Sequence, residues 1–153
     1  MKLTCKKIEL LIELGQARLE KRASSSSRRL RKKKIFVRRD KEETHNCLYV
    51  GYFARDPIYN EFHFHRRIQM RRHLFRRIVD SLSTHYEYFQ QRYDGLGRRG
   101  LSSLTKCTTA MWMSAYGIAA DYVDEYLKIG ESTALECLKI FSARVVQIFG
   151  KEY

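Results

Sequence analysis

Clusters of arginine and lysine are the residues of this chain whose type and spacing indicate a chemistry. A basic run at 28–39 is followed by arginine pairs at 66–67, 71–72 and 76–77. Guanidinium and ammonium groups at this density can neutralise the phosphates of a nucleic acid. The candidate DNA contacts in these clusters are Arg28, Arg29, Arg31, Lys32, Lys33, Lys34, Arg38, Arg39, Arg66, Arg67, Arg71, Arg72, Arg76 and Arg77. The alternative is a solvated charged surface, and the segment RRLRKKK (28–34) also resembles a nuclear-localisation signal.

The charge is distributed unevenly along the chain. The 153 residues carry 30 basic and 17 acidic side chains, a formal net charge of +13. Residues 1–47 contribute +9, residues 48–100 contribute +5 and residues 101–153 contribute −1. An excess of this size indicates an anionic partner. No signal peptide and no apolar run of about 20 residues is evident, so we expect a nuclear or else cytoplasmic protein that does not enter a membrane.

Histidines and cysteines do not form a metal-ligand pattern. The four cysteines, at 5, 47, 107 and 137, are far apart, and no C-x-x-C pair occurs. The nearest candidate pairs are His45 with Cys47 and His63 with His65, and neither has a second pair at finger-like spacing. We therefore expect buried thiols, no metal site and no cofactor. The segment RYDGLGRRG (92–100) lacks the spacing of a P-loop and is predicted to be a mobile loop.

Hydrophobic periodicity predicts an all-α protein with a flexible basic N-terminal segment. Residues 1–34 are predicted to hold a helix over 5–22, a serine-rich linker and a basic flexible stretch, and residues 35–153 a helical domain. The pair Asp40 and Glu43 predicts a capped helix running to about Ala54. A helix over 70–84 should turn its arginines outward and bury Leu74, Phe75, Ile78, Val79 and Leu82. The segment FHFH (62–65) is predicted to be extended, with its phenylalanines more often in the core than stacked on bases.

The segment 101–150 has the layout of a helix-turn-helix unit. A helix capped by Ser102, a short helix capped by Asp121, a turn at Ile129 and Gly130, and a long helix from Glu131 are predicted. Trp112 is expected at the margin of the first of these helices, whose buried residues should be Leu104, Cys107, Met111, Ala115 and Ile118. The buried positions of the last helix should be Ala134, Leu138, Phe141, Val145 and Ile148. Its candidate DNA contacts are Ser132, Thr133 and Lys139.

Acidic side chains weaken the DNA interpretation of that last helix. Glu131 and Glu136 oppose the approach of phosphates, and no arginine occurs in the helix before Arg144. A three-helix packing unit or a protein-docking surface is an equal alternative.

Several long segments carry a family resemblance. They are IFVRRDKEETHNCLY, YFARDPIYNEFHFHRRIQM, MRRHLFRRIVDSL, YFQQRYDGLGRRG, LGRRGLSSLTKC, AYGIAADYVDEYLKIGESTALECLKIF and FGKEY. Over about residues 35–153 the chain resembles the N-terminal region of plant PIF/Harbinger-type transposases. The resemblance implies a helical, DNA-binding-type domain that precedes a DDE catalytic domain with three metal-binding carboxylates. The chain ends about where that domain would begin, and none of its acidic residues matches a family catalytic motif, so we expect no enzymatic activity.

Four functions remain open at this point. The first is a DNA-binding or assembly module derived from such a transposase. The second is a protein-interaction module that docks a Myb-like partner, since the resemblance implies partners of that kind. The third is a magnesium-dependent nuclease, and the fourth is a truncated transposon remnant without a retained function.

Overall fold

Six α-helices are present in the part of the chain that the structure describes. The computed structural model describes residues 40–150, and no β-strand occurs in this span. The predicted all-α class is therefore confirmed. The predictions for residues 1–34, and the basic residues up to Arg39, lie outside the described residues. The helices are α1 Lys41–Leu48, α2 Glu61–Ile68, α3 Arg72–His85, α4 Ser103–Tyr116, α5 Ala120–Leu127 and α6 Glu131–Phe149.

Side-chain caps explain where three of these helices begin. Oxygen atoms of Asp40, Asn60 and Ser102 accept backbone N–H groups from the first turns of α1, α2 and α4, at 2.9, 3.0 and 3.2 Å. Each bond satisfies an N–H group that has no partner within its helix. The predicted caps Asp40 and Ser102 are confirmed. The predicted cap Asp121 is wrong, because α5 begins one residue earlier and Ala119, which has no polar side chain, occupies the cap position.

The first helix continues into a wider turn. After α1 a π-helical segment, Tyr49–Phe53, ends at Ala54, which is where the capping pattern predicted the helical segment to stop. The wider turn directs Tyr52 and Phe53 inward, and both are 5% exposed.

Residues 62–65 are helical rather than extended. They lie in α2, where Phe64 and Ile68 are one turn apart and both buried. Phe62 lies on the opposite side of the helix and is 70% exposed. Four alternating residues are too few to distinguish a strand from a helix, and the cap at Asn60 determines the outcome here.

An aromatic cluster joins the first three helices. The ring of Phe53 lies 5.5 Å from that of Phe64 and 5.8 Å from that of Phe75, and the rings of Phe64 and Phe75 are 5.9 Å apart. Such pairs contribute about 0.5–1.5 kcal/mol each beyond the area they bury. Of the stripe predicted on α3, Phe75, Ile78 and Leu82 are buried, Val79 is half-buried and Leu74 is 38% exposed.

Helix α4 is central to the fold. It packs most extensively against α6 and also contacts α1, α2, α3 and α5. Because neighbours surround it, Trp112 is only 2% exposed, so its predicted marginal position is wrong. Cys107 is buried as predicted, whereas Ala115 is exposed. Leu104, Met111 and Ile118 are only half-buried, and Ile118 lies beyond the end of α4.

The predicted order of helices over 101–150 is present. Helix α5 and helix α6 are separated by residues 128–130, with Ile129 buried in the turn. Ala134 and Phe141 are buried on α6, and Leu138, Val145 and Ile148 are half-buried. None of the helices within 40–150 is long and apolar enough to cross a membrane.

Residues 92–100 form a closed hairpin. The N–H of Gly100 donates to the carbonyl of Arg92 at 2.7 Å, and the N–H of Asp94 donates to the carbonyl of Arg98 at 2.9 Å. One carboxylate oxygen of Asp94 accepts the N–H groups of Leu96 and Arg98, both at 2.9 Å. These bonds give the glycine-rich segment a defined conformation, where the sequence predicted a mobile loop.

Candidate nucleic-acid interface

The six arginines in α2, in α3 and at the residue before α3 have two different environments. Arg67, Arg72, Arg76 and Arg77 each place a guanidinium group against an aromatic ring. The side chains of Arg66 and Arg71 are exposed, with no hydrogen bond or ion pair to another described residue. Arg76 and Arg77 are also exposed, as predicted, whereas Arg67 and Arg72 are half-buried. The fold thus divides the predicted basic surface into arginines that also make contacts within the protein and arginines that do not.

Arg72 joins the beginnings of α2 and α3. Its backbone N–H donates to a carboxylate oxygen of Glu61 at 2.8 Å, and its guanidinium donates to the carbonyl of Tyr59 at 2.9 Å. The guanidinium also lies 3.5 Å from the second Glu61 oxygen and 5.4 Å from the centre of the Phe64 ring. Its side chain is 19% exposed. The predicted outward orientation of Arg72 is therefore wrong, because these groups hold its side chain against the protein, and its contact with a nucleic acid stays a prediction.

Three further arginines link helices through aromatic groups. Arg67 donates to the hydroxyl of Tyr52 and lies 4.7 Å from the ring centre of Tyr59. Arg76 donates to the carbonyl of Phe53 and lies over its ring. Arg77 lies 5.5 Å from the ring of Phe149 at the end of α6. Each contact of this kind stabilises by about 0.5–1 kcal/mol where it is exposed to solvent, so these side chains serve the fold whatever else they bind.

Arg66 and Arg71 are the guanidinium groups best placed to meet phosphates. Arg66 lies one turn after Phe62 on the same face of α2. Arg71 immediately precedes α3, and the contact between Glu61 and Arg72 brings that helix start beside the first turn of α2. The nearby carboxylate of Glu61 is already paired with Arg72, so it opposes the approach of an anion less.

The predicted contacts on α6 lie apart from the α3 arginines. Ser132 and Lys139 are exposed and Thr133 is half-buried. Arg77 contacts α6 at Phe149, and Ser132 lies about 25 Å before that point along the helix axis at 1.5 Å per residue. Glu131 and Glu136 are also exposed at this end. The fold thus does not place the predicted contacts of α6 on one continuous basic surface with Arg77.

The hairpin carries arginines that sequence reasoning did not select. Arg98 forms an ion pair with Asp94 at 2.8 Å, Arg99 with Glu42 at 3.4 Å, and Arg92 with Glu87. Exposed pairs of this kind are worth about 0–1 kcal/mol and can exchange for a phosphate. For Arg98 the sequence does contain a signal, since Asp94 lies four residues before it and can accept its N–H groups.

A side-chain hydrogen bond ties α1 to the start of α4. Nδ1 of His45 lies 2.8 Å from the hydroxyl of Ser102, which also caps α4. Burial, and then the charge of Arg99, lower the pKa of His45, while Glu42 raises it. Ser102 is 6% exposed and His45 is half-buried, so this partly buried Ser–His pair positions the helix start.

A polar cluster lies where α4 meets α6. The ammonium of Lys106 donates to the carbonyls of Tyr88 and Gln90 and lies 4.9 Å from the Tyr88 ring centre. The Tyr88 hydroxyl and the Cys137 sulfur are hydrogen-bonded at 3.3 Å.

Burial raises the pKa of Tyr88, Cys107 and Cys137 and lowers that of Lys106. Protonated thiols are poor nucleophiles and poor metal ligands. Within 40–150 no group of three or more His, Cys, Asp and Glu residues is arranged to hold a metal ion.

We expect this cluster to make the protein less stable at alkaline pH. Cys107, Cys137 and Tyr88 bind their protons more tightly in the folded chain, so the free energy of unfolding falls as the pH rises above the ordinary thiol pKa of 9.0. The lowered pKa of Lys106 makes the free energy of unfolding rise with pH, but this is one group against three. The urea midpoint should be lower at pH about 10.5 than at pH about 8. In the variant Cys107→Ala the two midpoints should lie closer together. A wild-type midpoint at the alkaline pH that equals or exceeds the one at the lower pH would contradict the expected destabilisation.

A comparison with protein families gives one match. Residues 45–83 match the model of a domain of unknown function, DUF8418. This is about a quarter of the chain, and it extends from within α1 to within α3, so it includes Phe62 and all six arginines. No curated protein and no solved structure matches the chain.

Proposed function

We propose that this protein is a DNA-binding module that contacts phosphates through Arg66, Arg71 and the basic run at 28–39. The observation that carries the proposal is the exposure of Arg66 and Arg71, whose guanidinium groups have no hydrogen bond or ion pair within residues 40–150. The resemblance to PIF/Harbinger-type transposases agrees with such a role and with a nuclear location. No catalytic activity is proposed for this chain.

The local structure favours phosphate contact at Arg71. Its neighbour Arg72 is fixed by Glu61 and Tyr59, so the backbone at the start of α3 is held in place. A guanidinium on a fixed backbone loses less conformational freedom when it binds. Contacts of this type position a protein on nucleic acid without reading its sequence.

Residues 40–150 alone provide little net charge. They contain 15 basic and 13 acidic side chains, a net charge of +2, whereas residues 1–39 contain 14 basic and 3 acidic side chains. In the proposal residues 1–39 therefore supply most of the attraction, and Arg66 and Arg71 define the contact within residues 40–150.

The helix-turn-helix interpretation contributes less to this function. If the start of α6 enters a groove, Ser132, Thr133 and Lys139 face the DNA together with Glu131 and Glu136. Residues 120–149 hold five acidic and three basic side chains, so repulsion of phosphates offsets much of the gain. We propose that α6 has at most an assisting role.

The exposed face of α6 favours a second candidate function, the docking of a protein partner. Leu135 is 50% exposed and Val146 is 69% exposed. They are eleven residues apart, about three helical turns, and so lie on one face. A Myb-like protein, as the resemblance implies, is a partner of the right kind. Substituting both residues by serine should leave DNA affinity unchanged, which separates this surface from the arginines.

Salt dependence of binding tests the DNA proposal. The full chain should bind a labelled duplex of about 20 base pairs, measured by fluorescence anisotropy between about 50 and 200 mM salt, with an affinity that falls steeply as salt rises. Replacing Arg66 and Arg71 by glutamine should reduce the slope of log K against log salt by about 2, since each phosphate contact contributes about 0.9. The control is Lys128→Gln, which removes an exposed charge at the end of α5. It should change neither the affinity nor its salt dependence. Absence of duplex binding at the lowest salt would overturn the proposal.

A further inference from the structure

We propose that the exposed face of α2 binds an unpaired nucleobase, which stacks on Phe62 while Arg66 and Arg71 contact the neighbouring phosphates. The inference rests on the proposed function and deepens it, because it names single-stranded or locally unpaired nucleic acid as the ligand of this face.

Phe62 has no role in the core. Its side chain is 70% exposed, whereas Phe64, two residues later on the same helix, is fully buried within the aromatic cluster. A phenylalanine held in this position adds apolar surface to the solvent without contributing to packing. Its ring lies 5.8 Å from that of His63, the next residue, in a nearly perpendicular orientation.

The helix holds Phe62 in a fixed place. Asn60 caps α2 by accepting the backbone N–H of His63 at 3.0 Å, and the same oxygen lies 2.7 Å from the His63 ring nitrogen. Glu61, on the other side, is tied to Arg72. The aromatic ring is therefore carried on an ordered first turn, so that little conformational freedom is lost when a base stacks on it.

The charges around Phe62 suit an anionic strand rather than an apolar partner. Arg66 lies one turn along the same face, within about 6 Å between Cβ atoms, and Arg71 lies beside the first turn through the Glu61–Arg72 contact. Exposed His65 adds a further hydrogen-bond donor on this side of the helix. An aromatic ring flanked by guanidinium groups is the arrangement by which proteins bind single strands, because every base has a π-face to stack and every nucleotide a phosphate.

Base stacking requires a base that is not enclosed in a duplex. In paired DNA the faces of the bases are covered by their neighbours, so Phe62 can reach only single strands, strand ends or extruded bases. Duplex DNA can still contact Arg66 and Arg71 through its phosphates. The contributions of Phe62 and of the arginines should therefore separate when the two forms of DNA are compared.

The variant Phe62→Ala of the full chain tests the inference. The probes are a labelled 20-nucleotide single strand and its duplex, with fluorescence anisotropy as the readout. We expect the affinity for the single strand to fall about 5- to 100-fold, the range that corresponds to loss of one stacked base, and the affinity for the duplex to stay within about twofold. The variant Phe62→Tyr should retain single-strand binding, because it keeps an aromatic ring. Leu96→Ala is the matched control, since Leu96 is a 77% exposed apolar residue on the hairpin and its loss should affect neither probe.

The outcomes distinguish this inference from the proposed function. If the wild-type chain binds the duplex but Phe62→Ala binds the single strand as tightly as wild type, the stacking site is overturned and the DNA-binding proposal stands. Equal loss on both probes would also overturn stacking, and would assign Phe62 to a general contact such as a protein or duplex surface. Binding of neither probe by the wild-type chain would overturn both. Far-ultraviolet circular dichroism checks that each variant is folded.

Discussion

Phe75→Ala is expected to lower the free energy of unfolding by about 3–5 kcal/mol, the cost typical of a truncated core phenylalanine. Phe75 is fully buried and lies between Phe53 and Phe64, with ring centres 5.8 and 5.9 Å away. Alanine would leave a cavity where the end of the first helical segment, α2 and α3 meet. Small domains are stable by only about 5–15 kcal/mol, so this variant would lose a large part of its stability.

Phe62→Ala provides the matched control for that experiment. It makes the same chemical change on a neighbouring helix, but at a side chain that is 70% exposed, so the free energy of unfolding should change by less than about 0.5 kcal/mol. Urea unfolding followed by circular dichroism measures both variants. Similar losses for Phe62 and Phe75 would show that the aromatic cluster is not the core of this fold.

Arg72→Gln is expected to lower the free energy of unfolding by about 2–3 kcal/mol. The change removes a guanidinium that bonds the carbonyl of Tyr59, pairs with Glu61 and covers the ring of Phe64. Hydrogen bonds to charged groups are worth about 1.5–3 kcal/mol, and the carbonyl would lose a partner. The ion pair itself adds little, because the Glu61 side chain is 54% exposed and solvent screens it.

The adjacent residue is the control, and it separates folding from binding. Arg71→Gln removes the same charge from an exposed side chain that has no hydrogen bond within the described residues, so stability should change by no more than about 0.5 kcal/mol. The effect on binding should be the opposite of the effect on stability. At low salt, and with both proteins fully folded, Arg71→Gln should bind duplex DNA more weakly than Arg72→Gln. If Arg71→Gln were the less stable variant, the assignment of structural and phosphate-contacting roles would be reversed.

The helices of this protein were largely predictable because their signals are local. The cap at Asp40 lies three residues from the N–H group it accepts, and the cap at Ser102 lies three residues from the N–H group of Thr105. The errors at Asp121 and at 62–65 are also local in origin. In both, competing short-range patterns differ by about a kilocalorie per mole or less, and at 62–65 the cap at Asn60 decides between them.

The candidate site was less predictable, because the members of a basic cluster have the same composition but different surroundings. Arg71 and Arg72 are adjacent and chemically identical, and no sequence pattern separates them. Their difference arises from Glu61 and Tyr59, more than ten residues earlier, which the fold brings to Arg72 alone. The pair Phe62 and Phe64 behaves in the same way, since the face of α2 that meets Phe53 and Phe75 determines which ring is buried.

The sequence by itself determined the all-α class, the order of the helices other than α2, two of the three side-chain caps and the excess of positive charge in the first two thirds of the chain. These depend on periodicity, on capping geometry over a few residues and on a count of charges. Only the tertiary structure decided that Trp112 is enclosed, that 92–100 is a hydrogen-bonded hairpin, and that Phe62, Arg66 and Arg71 remain exposed on neighbouring elements. The physical reason is that burial and hydrogen-bond partners depend on contacts between segments distant along the chain, and such contacts exist only after the helices have packed.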